Sequence, residues 1–217
     1  SENSKTYQME DGSYVTELYF EPIHKKEGKD FIEIDNTLEQ SRARTNRSEP
    51  VYENKDGLYD FAVNGTQMRM ENTSGEEVII DHADADLSVY DVQENVMLYS
   101  EAYDNIDMEY RLGGNSVTTT YIFNAVSDDA SIGYTIDKGA MKVEETAEAL
   151  LLKQGNTVLF SMNKPQCVDA LGRTSPVTFS YEENDEGLEV ILKPDQEWLH
   201  SEQRVYPVRM SARTADE

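Results

Sequence analysis

The sequence predicts an all-β protein, a large antiparallel β-sandwich with an N-terminal hairpin unit. Three observations carry that expectation. Apolar residues alternate with polar ones at a period of two along most of the chain. Turn-forming residues recur about every 8–12 residues, as they do in sandwiches and barrels. No stretch sustains a 3.6-residue period over three turns.

The elements follow in order. Residues 14–20 and 31–34 read as strands of the N-terminal unit. Tyr59, Phe61 and Val63 alternate before Asn64-Gly65, and Met68 and Met70 alternate after it. Asn-Gly supplies the two positive φ angles of a type I′ turn, so this pair predicts a hairpin. Ile106, Met108, Tyr110 and Leu112 share one face of a second hairpin. Gly113-Gly114 turns it, and Val117, Thr119, Tyr121 and Phe123 share a face on the return. A third hairpin joins 150–153 to 157–162 through Gly155-Asn156. Further strands are expected at 132–136, 177–181, 188–192 and 205–210. Residues 143–152 fit either a short helix or a turn into a strand, and 195–200 fit one helical turn around Trp198. One polar and one apolar face per strand belongs to antiparallel sheets packed on one side, so two similar sheet pairs are a natural larger form.

The expected division is an N-terminal unit at 1–45 packed on a main sandwich at 46–217. Between them 40–50 carries Arg42, Arg44 and Arg47 with no large apolar residue, an exposed basic connection in an acidic chain.

Composition limits the partners. The chain has 217 residues, with 43 Asp and Glu against 19 Lys and Arg, a net charge of −24. A field of that sign repels nucleic acid and anionic lipid, so neither is an expected partner. Its 13 Tyr and 6 Phe separate it from a disordered acidic chain. No apolar run reaches the ~18 residues of a membrane span. The chain opens at Ser1 in charged sequence without a leader-like segment, the expectation for part of a longer polypeptide. With Cys167 alone no internal disulfide can form, and a packed thiol is expected.

Motifs for nucleotide binding, acyl transfer and zinc hydrolysis are absent, and His24, His82 and His200 lie far apart. No catalytic residue is therefore assigned. Two acidic groups stand out. Asp81, Asp84 and Asp86 surround His82, and Asp104 and Asp107 flank Asn105 close to Glu109. Clustered acids on loops can supply the six to eight oxygens that calcium takes. Neither group has the spacing or the glycine of an EF-hand loop, and a chain this acidic produces such clusters by composition. The expectation is no cofactor, with Ca2+ as the alternative. Tyr19, Tyr52, Tyr59, Tyr90, Tyr99, Tyr103 and Trp198 could build a sugar platform, and Tyr103 and Trp198 are the candidate glycan or partner contacts.

Three stretches in order resemble a family. Residues 7–38 end in Phe31-Ile32-Glu33-Ile34-Asp35-Asn36-Thr37-Leu38, similar to a "dG-W-x-x-IDNTL" strand with Phe31 for the usual Trp. Residues 103–112 (YDNIDMEYRL) are similar to "y-d-n-v-D-l-x-Y-x-v". Pro165 to Gly172 (PQCVDALG), with Trp198-Leu199 and Tyr206-Pro207-Val208, are similar to "P-x-m-x-D-A-x-G … W-L … Y-P-V-x-I-D-P". Together they resemble the N-terminal β-rich module of wall-associated Rhs/YD-repeat (DNRLRE-type) secreted proteins of Gram-positive bacteria. Two departures stand out. Val117-Thr118-Thr119-Thr120 replaces a Lys-Glu pair, and the ending lacks Ile-Asp-Pro.

The resemblance implies an extracellular or cell-wall module that scaffolds or adheres. Its partners would be other domains of the parent surface protein and cell-wall glycan. It carries over no catalytic residue. A carbohydrate-binding or carbohydrate-processing sandwich and a calcium-dependent adhesion module are the alternatives.

Overall fold

The computed structural model describes residues 1–41, 51–127, 130–185 and 187–217. The expected basic connection through Arg42, Arg44 and Arg47 lies outside the described residues.

Two small antiparallel sheets come first. Strand β1 (Ser4–Gln8) pairs with β2 (Tyr14–Leu18), and β3 (His24–Glu27) pairs with β4 (Asp30–Glu33). A meander follows, β5 (Asp35–Gln40), β6 (Val51–Asp56), β7 (Asp60–Asn64), β8 (Gln67–Glu71) and β9 (Glu77–Asp81). A second meander comprises β10 (Tyr90–Gln93), β11 (Val96–Tyr103), β12 (Ile106–Leu112) and β13 (Ser116–Phe123). After β14 (Ile132–Asp137) come β15 (Lys142–Glu145), β16 (Ala149–Gln154), β17 (Thr157–Asn163) and β18 (Gln166–Val168). The chain ends with β19 (Thr174–Asn184), β20 (Gly187–Pro194), α1 (Gln196–Leu199) and β21 (Val208–Asp216).

These strands make two broad antiparallel layers. The first runs β5-β6-β7-β8-β9-β14-β20-β19. The second runs β10-β11-β12-β13-β21-β17-β16-β15, with β18 beside the start of β21. Strand β19 belongs to both. Ser175 pairs with Cys167 of β18 in the second layer, whereas Val177 onward pairs with β20 in the first. Pro176, which has no N–H to give a ladder, sits at the change. The expected large antiparallel sandwich is therefore the observed fold.

The core fills the space between the layers. Phe61 of β7 meets Tyr110 of β12 edge to face, with ring centroids 6.2 Å apart. The predicted inward faces of the second hairpin are buried, from Ile106 and Tyr110 to Val117 and Tyr121. All the methionines except Met9 are buried here, the use expected of a flexible side chain that fills irregular gaps between broad sheets.

Two details differ from the sequence expectation, and a third decides between the alternatives left open at 143–152. Asn64 stays in the ladder, paired with Gln67, so the turn residues are Gly65 and Thr66. Gly65 has φ +60° and Thr66 no positive φ, the pattern of a type II′ rather than a type I′ turn. Keeping Val63 opposite Met68 on the buried face requires this register. Of the two forms expected at 143–152, the turn into a strand is observed: residues 142–154 form the β15–β16 hairpin, with the Thr146 hydroxyl accepting from the N–H of Ala149 at the turn. Strand β21 starts at Val208 and continues to Asp216, past the expected 205–210. Its small residues Ser211, Ala212 and Ala215 pair with the Thr-rich stretch of β13, so its central position comes from neighbours and not from its own hydrophobicity.

Candidate functional site

Of the predicted acids, Asp81, Asp86 and Asp107 accept structural hydrogen bonds in separate places. Asp81, at the end of β9, accepts from Thr66 Oγ1 at 2.7 Å and Gln67 Nε2 at 3.0 Å. Asp84 is exposed on the following loop. Asp86 accepts from the N–H of Ser88, which closes an Asx turn, and the Ser88 side chain and N–H together hold its carboxyl below the usual range. Asp104 is exposed beside Asn105, whose φ of +59° turns the chain between β11 and β12. Asp107 accepts from the N–H of Glu101 and from Asn124 Nδ2, both at 2.8 Å, which pins the bulge in β11. Among the described residues no three His, Cys, Asp or Glu side chains form a group that could hold a metal ion.

Beneath Asp81, His82 is buried between the layers. Its Nε2 lies 2.7 Å from Tyr121 Oη and its Nδ1 3.1 Å from Tyr110 Oη, and its ring rests on Tyr134. A neutral imidazole can accept from one hydroxyl and donate to the other. Burial keeps it neutral, pushing its pKa down to about 4, although the nearby Asp81 charge acts in the opposite direction. Tyr103 packs against Tyr121, and its buried hydroxyl has no partner among the described residues. Burial pushes the Cys167 thiol up to about 12, with Arg204 opposing. The expected packed thiol is what the fold contains.

Trp198 belongs to a different cluster. The guanidinium of Arg204 stacks on its ring, 3.3 Å from the centroid, and donates to Asp169 Oδ2 at 2.7 Å. Asp169 also accepts from the N–H groups of Leu171 and Arg173 and from the Arg173 side chain. Burial alone would raise the Asp169 pKa, but these donors hold it well below the carboxylate range.

The other motif residues form a second junction. Asn36 donates to the carbonyl of Gly113 at 2.6 Å and accepts from Asn54 at 2.9 Å. Glu21 accepts from Gly114 N, Ser116 Oγ and Arg213 Nε, which ties the N-terminal segment to the body. A Cβ at Gly114 would lie 1.9 Å from the carbonyl oxygen of Pro22, so the close approach of this segment requires glycine there.

One pocket stands apart from these junctions. It opens where β6 and β7 of the first layer meet β10 and β11 of the second, and its volume is about 460 Å3. Tyr52, Tyr90 and Tyr99 form an aromatic wall, with centroids 5.7 Å and 6.1 Å apart along the series. Thr66, Asp86 and Ser88 add polar groups. Burial, with the Tyr90 hydroxyl beside it, holds the Tyr52 phenol above its ordinary value, so it is uncharged at neutral pH. The loop over the pocket is tied down by Asp86 N to the Ala102 carbonyl, 2.9 Å, and by Ser100 N to the Val89 carbonyl, 3.0 Å. Of the aromatics available in the sequence, the fold thus gathers Tyr52, Tyr90 and Tyr99 and sends Tyr103 and Trp198 elsewhere. The signal is present in composition, but the contact of Tyr52 on β6 with Tyr90 on β10 across two layers has no local trace.

Four curated proteins are similar over most of the chain. The tRNA3(Ser)-specific nuclease WapA of Bacillus spizizenii is 24% identical over 99% of this chain and 10% of its own length. The tRNA nuclease WapA of Bacillus subtilis strain 168 has the same identity and coverage. A wall-associated protein of Geobacillus stearothermophilus is 28% identical over 78% of this chain and 72% of its own length. The chain spans about a tenth of the length of the nuclease relatives. No known family profile matches, and no solved structure does. The chain is thus similar to part of the WapA nucleases of Bacillus and to a wall-associated protein of Geobacillus. Names that specify tRNA cleavage do not support the expectation that nucleic acid is excluded as a partner. No helix among the described residues is long and apolar enough to cross a membrane.

Proposed function

We propose that this chain is a non-catalytic scaffolding and adhesion module of a larger wall-associated surface protein. One observation carries the reading. The residues of all three motif stretches are used as structural junctions, with Asn36 on the β12–β13 turn, Asp107 in the β11 bulge and Asp169 on Arg204. Of the three histidines and the one cysteine, His82 and Cys167 are sealed in the core.

In this reading the nuclease activity in the relatives' names resides outside the similar tenth, and the surplus of acids here disfavours RNA contact. Placement ahead of Rhs/YD repeats, a cell-wall location, and the division into 1–45 and 46–217 belong to the same proposal.

The test is to incubate the purified chain with tRNA and, separately, with purified Gram-positive cell walls. Intact tRNA and co-sedimentation with walls are expected. Cleavage of tRNA that survives repurification overturns the non-catalytic reading.

A further inference from the structure

We propose that the pocket walled by Tyr52, Tyr90 and Tyr99 binds a neutral pyranose unit of a glycan. This deepens the adhesion reading and rests on it.

The volume, about 460 Å3, falls within the range of small-molecule sites. The lining has the composition such sites share, an apolar body with a few convergent polar groups. A pyranose matches that division, because its C–H faces are apolar and its rim is a ring of hydroxyls. Tyr52 and Tyr90, backed by the buried Tyr99, face the first, and Thr66, Asp86 and Ser88 face the second.

Charge narrows the class. Asp86 is ionised, since the Ser88 side chain and N–H both lower its pKa, and the chain as a whole carries −24. An anionic ligand would meet repulsion at the pocket and across the surface. Asp86 is exposed and accepts from Ser88, which leaves acceptor capacity on a carboxylate with about four lone-pair sites. A carboxylate oxygen in that position accepts from a sugar hydroxyl. An organic cation fits less well. Aromatic cages for ammonium groups keep their rings apart around the charge. Here Tyr52 meets Tyr90 edge to face, and Tyr90 rests on Tyr99, so no gap is left between them.

The loop is also organised in advance. The Asx turn at Asp86 and the two backbone bonds to β11 fix it without a ligand, which lowers the ordering cost of weak binding.

The experiment uses the whole chain, with cellotriose, maltotriose and chitotriose as neutral probes, glucuronic acid as the anionic comparison and N-acetylphenylalanine amide as the hydrophobic one. Saturation-transfer NMR and calorimetry read binding. Tyr90, 36% exposed, can be changed to Ala with little risk to the fold. Asp86→Asn removes the charge and keeps the shape.

At least one neutral oligosaccharide is expected to bind, weakened roughly tenfold or more by Tyr90→Ala, with a melting temperature close to that of the unaltered chain. The proposal is overturned by no binding of any sugar, by equal binding in both variants, or by binding of the phenylalanine amide in place of the sugars. Wall sedimentation separates the two levels. Walls held equally by the Tyr90→Ala chain sink the pocket and leave the adhesion reading intact. Walls not held by the unaltered chain sink the adhesion reading itself.

Discussion

Arg204 places its guanidinium between the carboxylate of Asp169, 2.7 Å away, and the face of Trp198, whose ring centroid lies 3.3 Å away. This one side chain joins the turn after β18, 35 positions away in sequence, to the helical turn α1 and the approach to β21. It explains why Asp-Ala-Leu-Gly, Trp-Leu and Tyr-Pro-Val occur together in this chain. They are contact surfaces of one junction. Arg204→Lys keeps the charge but loses the planar fork and the stack. The thermal midpoint is expected to fall by on the order of 10 °C, read by circular dichroism. A shift within about 2 °C would show that the junction contributes little.

Glu21 makes the corresponding junction at the other end. Glu21→Ala removes the acceptor for Gly114 N, Ser116 Oγ and Arg213 Nε, and Gly114→Ala drives a methyl group into Pro22. Both changes are expected to speed hydrogen exchange and proteolysis in β1–β4 while β12 and β13 stay protected. Uniform loss of protection over the whole chain would contradict a local tether.

Stability should depend on pH through His82. Its pKa is about 4 in the fold against an ordinary 6.5, so between those values the unfolded chain binds a proton that the folded chain refuses. The contribution is fully present above pH 6.5 and is lost as pH falls toward 4, amounting to about 3 kcal/mol. His82→Gln should be less stable at pH 7, with a shallower decline below 6.5, in denaturant titrations. Parallel declines in the two proteins would remove His82 as the cause.

The acids answer to a different test. Asp81, Asp86 and Asp107 already accept protein hydrogen bonds, in separate places. Millimolar calcium followed by chelator is expected to move the melt by less than about 1 °C, since only a ligand bound to the native state stabilises it. A rise of several degrees would make a loop cluster a cation site.

Much of this architecture can be read locally and some cannot. Alternation and turn residues suffice for β12, β13, β16 and β17, because one buried face leaves its period in the sequence. The same signal is weak for β21, whose Ser211, Ala212 and Thr214 are central through their neighbours. It misplaces the turn at Asn64 by one residue, because the buried pair Val63–Met68 outweighs the local preference of Asn-Gly. Asp169 and Trp198 lie in motifs that can be recognised, whereas the Arg204 that joins them has no local mark. The pocket is the least legible feature. Tyr52 and Tyr90 are 38 positions apart and meet only when the two layers close.

The most direct test of the adhesion claim is a sedimentation isotherm of the folded chain on purified Gram-positive cell walls. The account predicts saturable binding that persists at moderate salt, because the proposed contact is with neutral sugar and not with charge. Chain that stays in the supernatant at every wall concentration would contradict it.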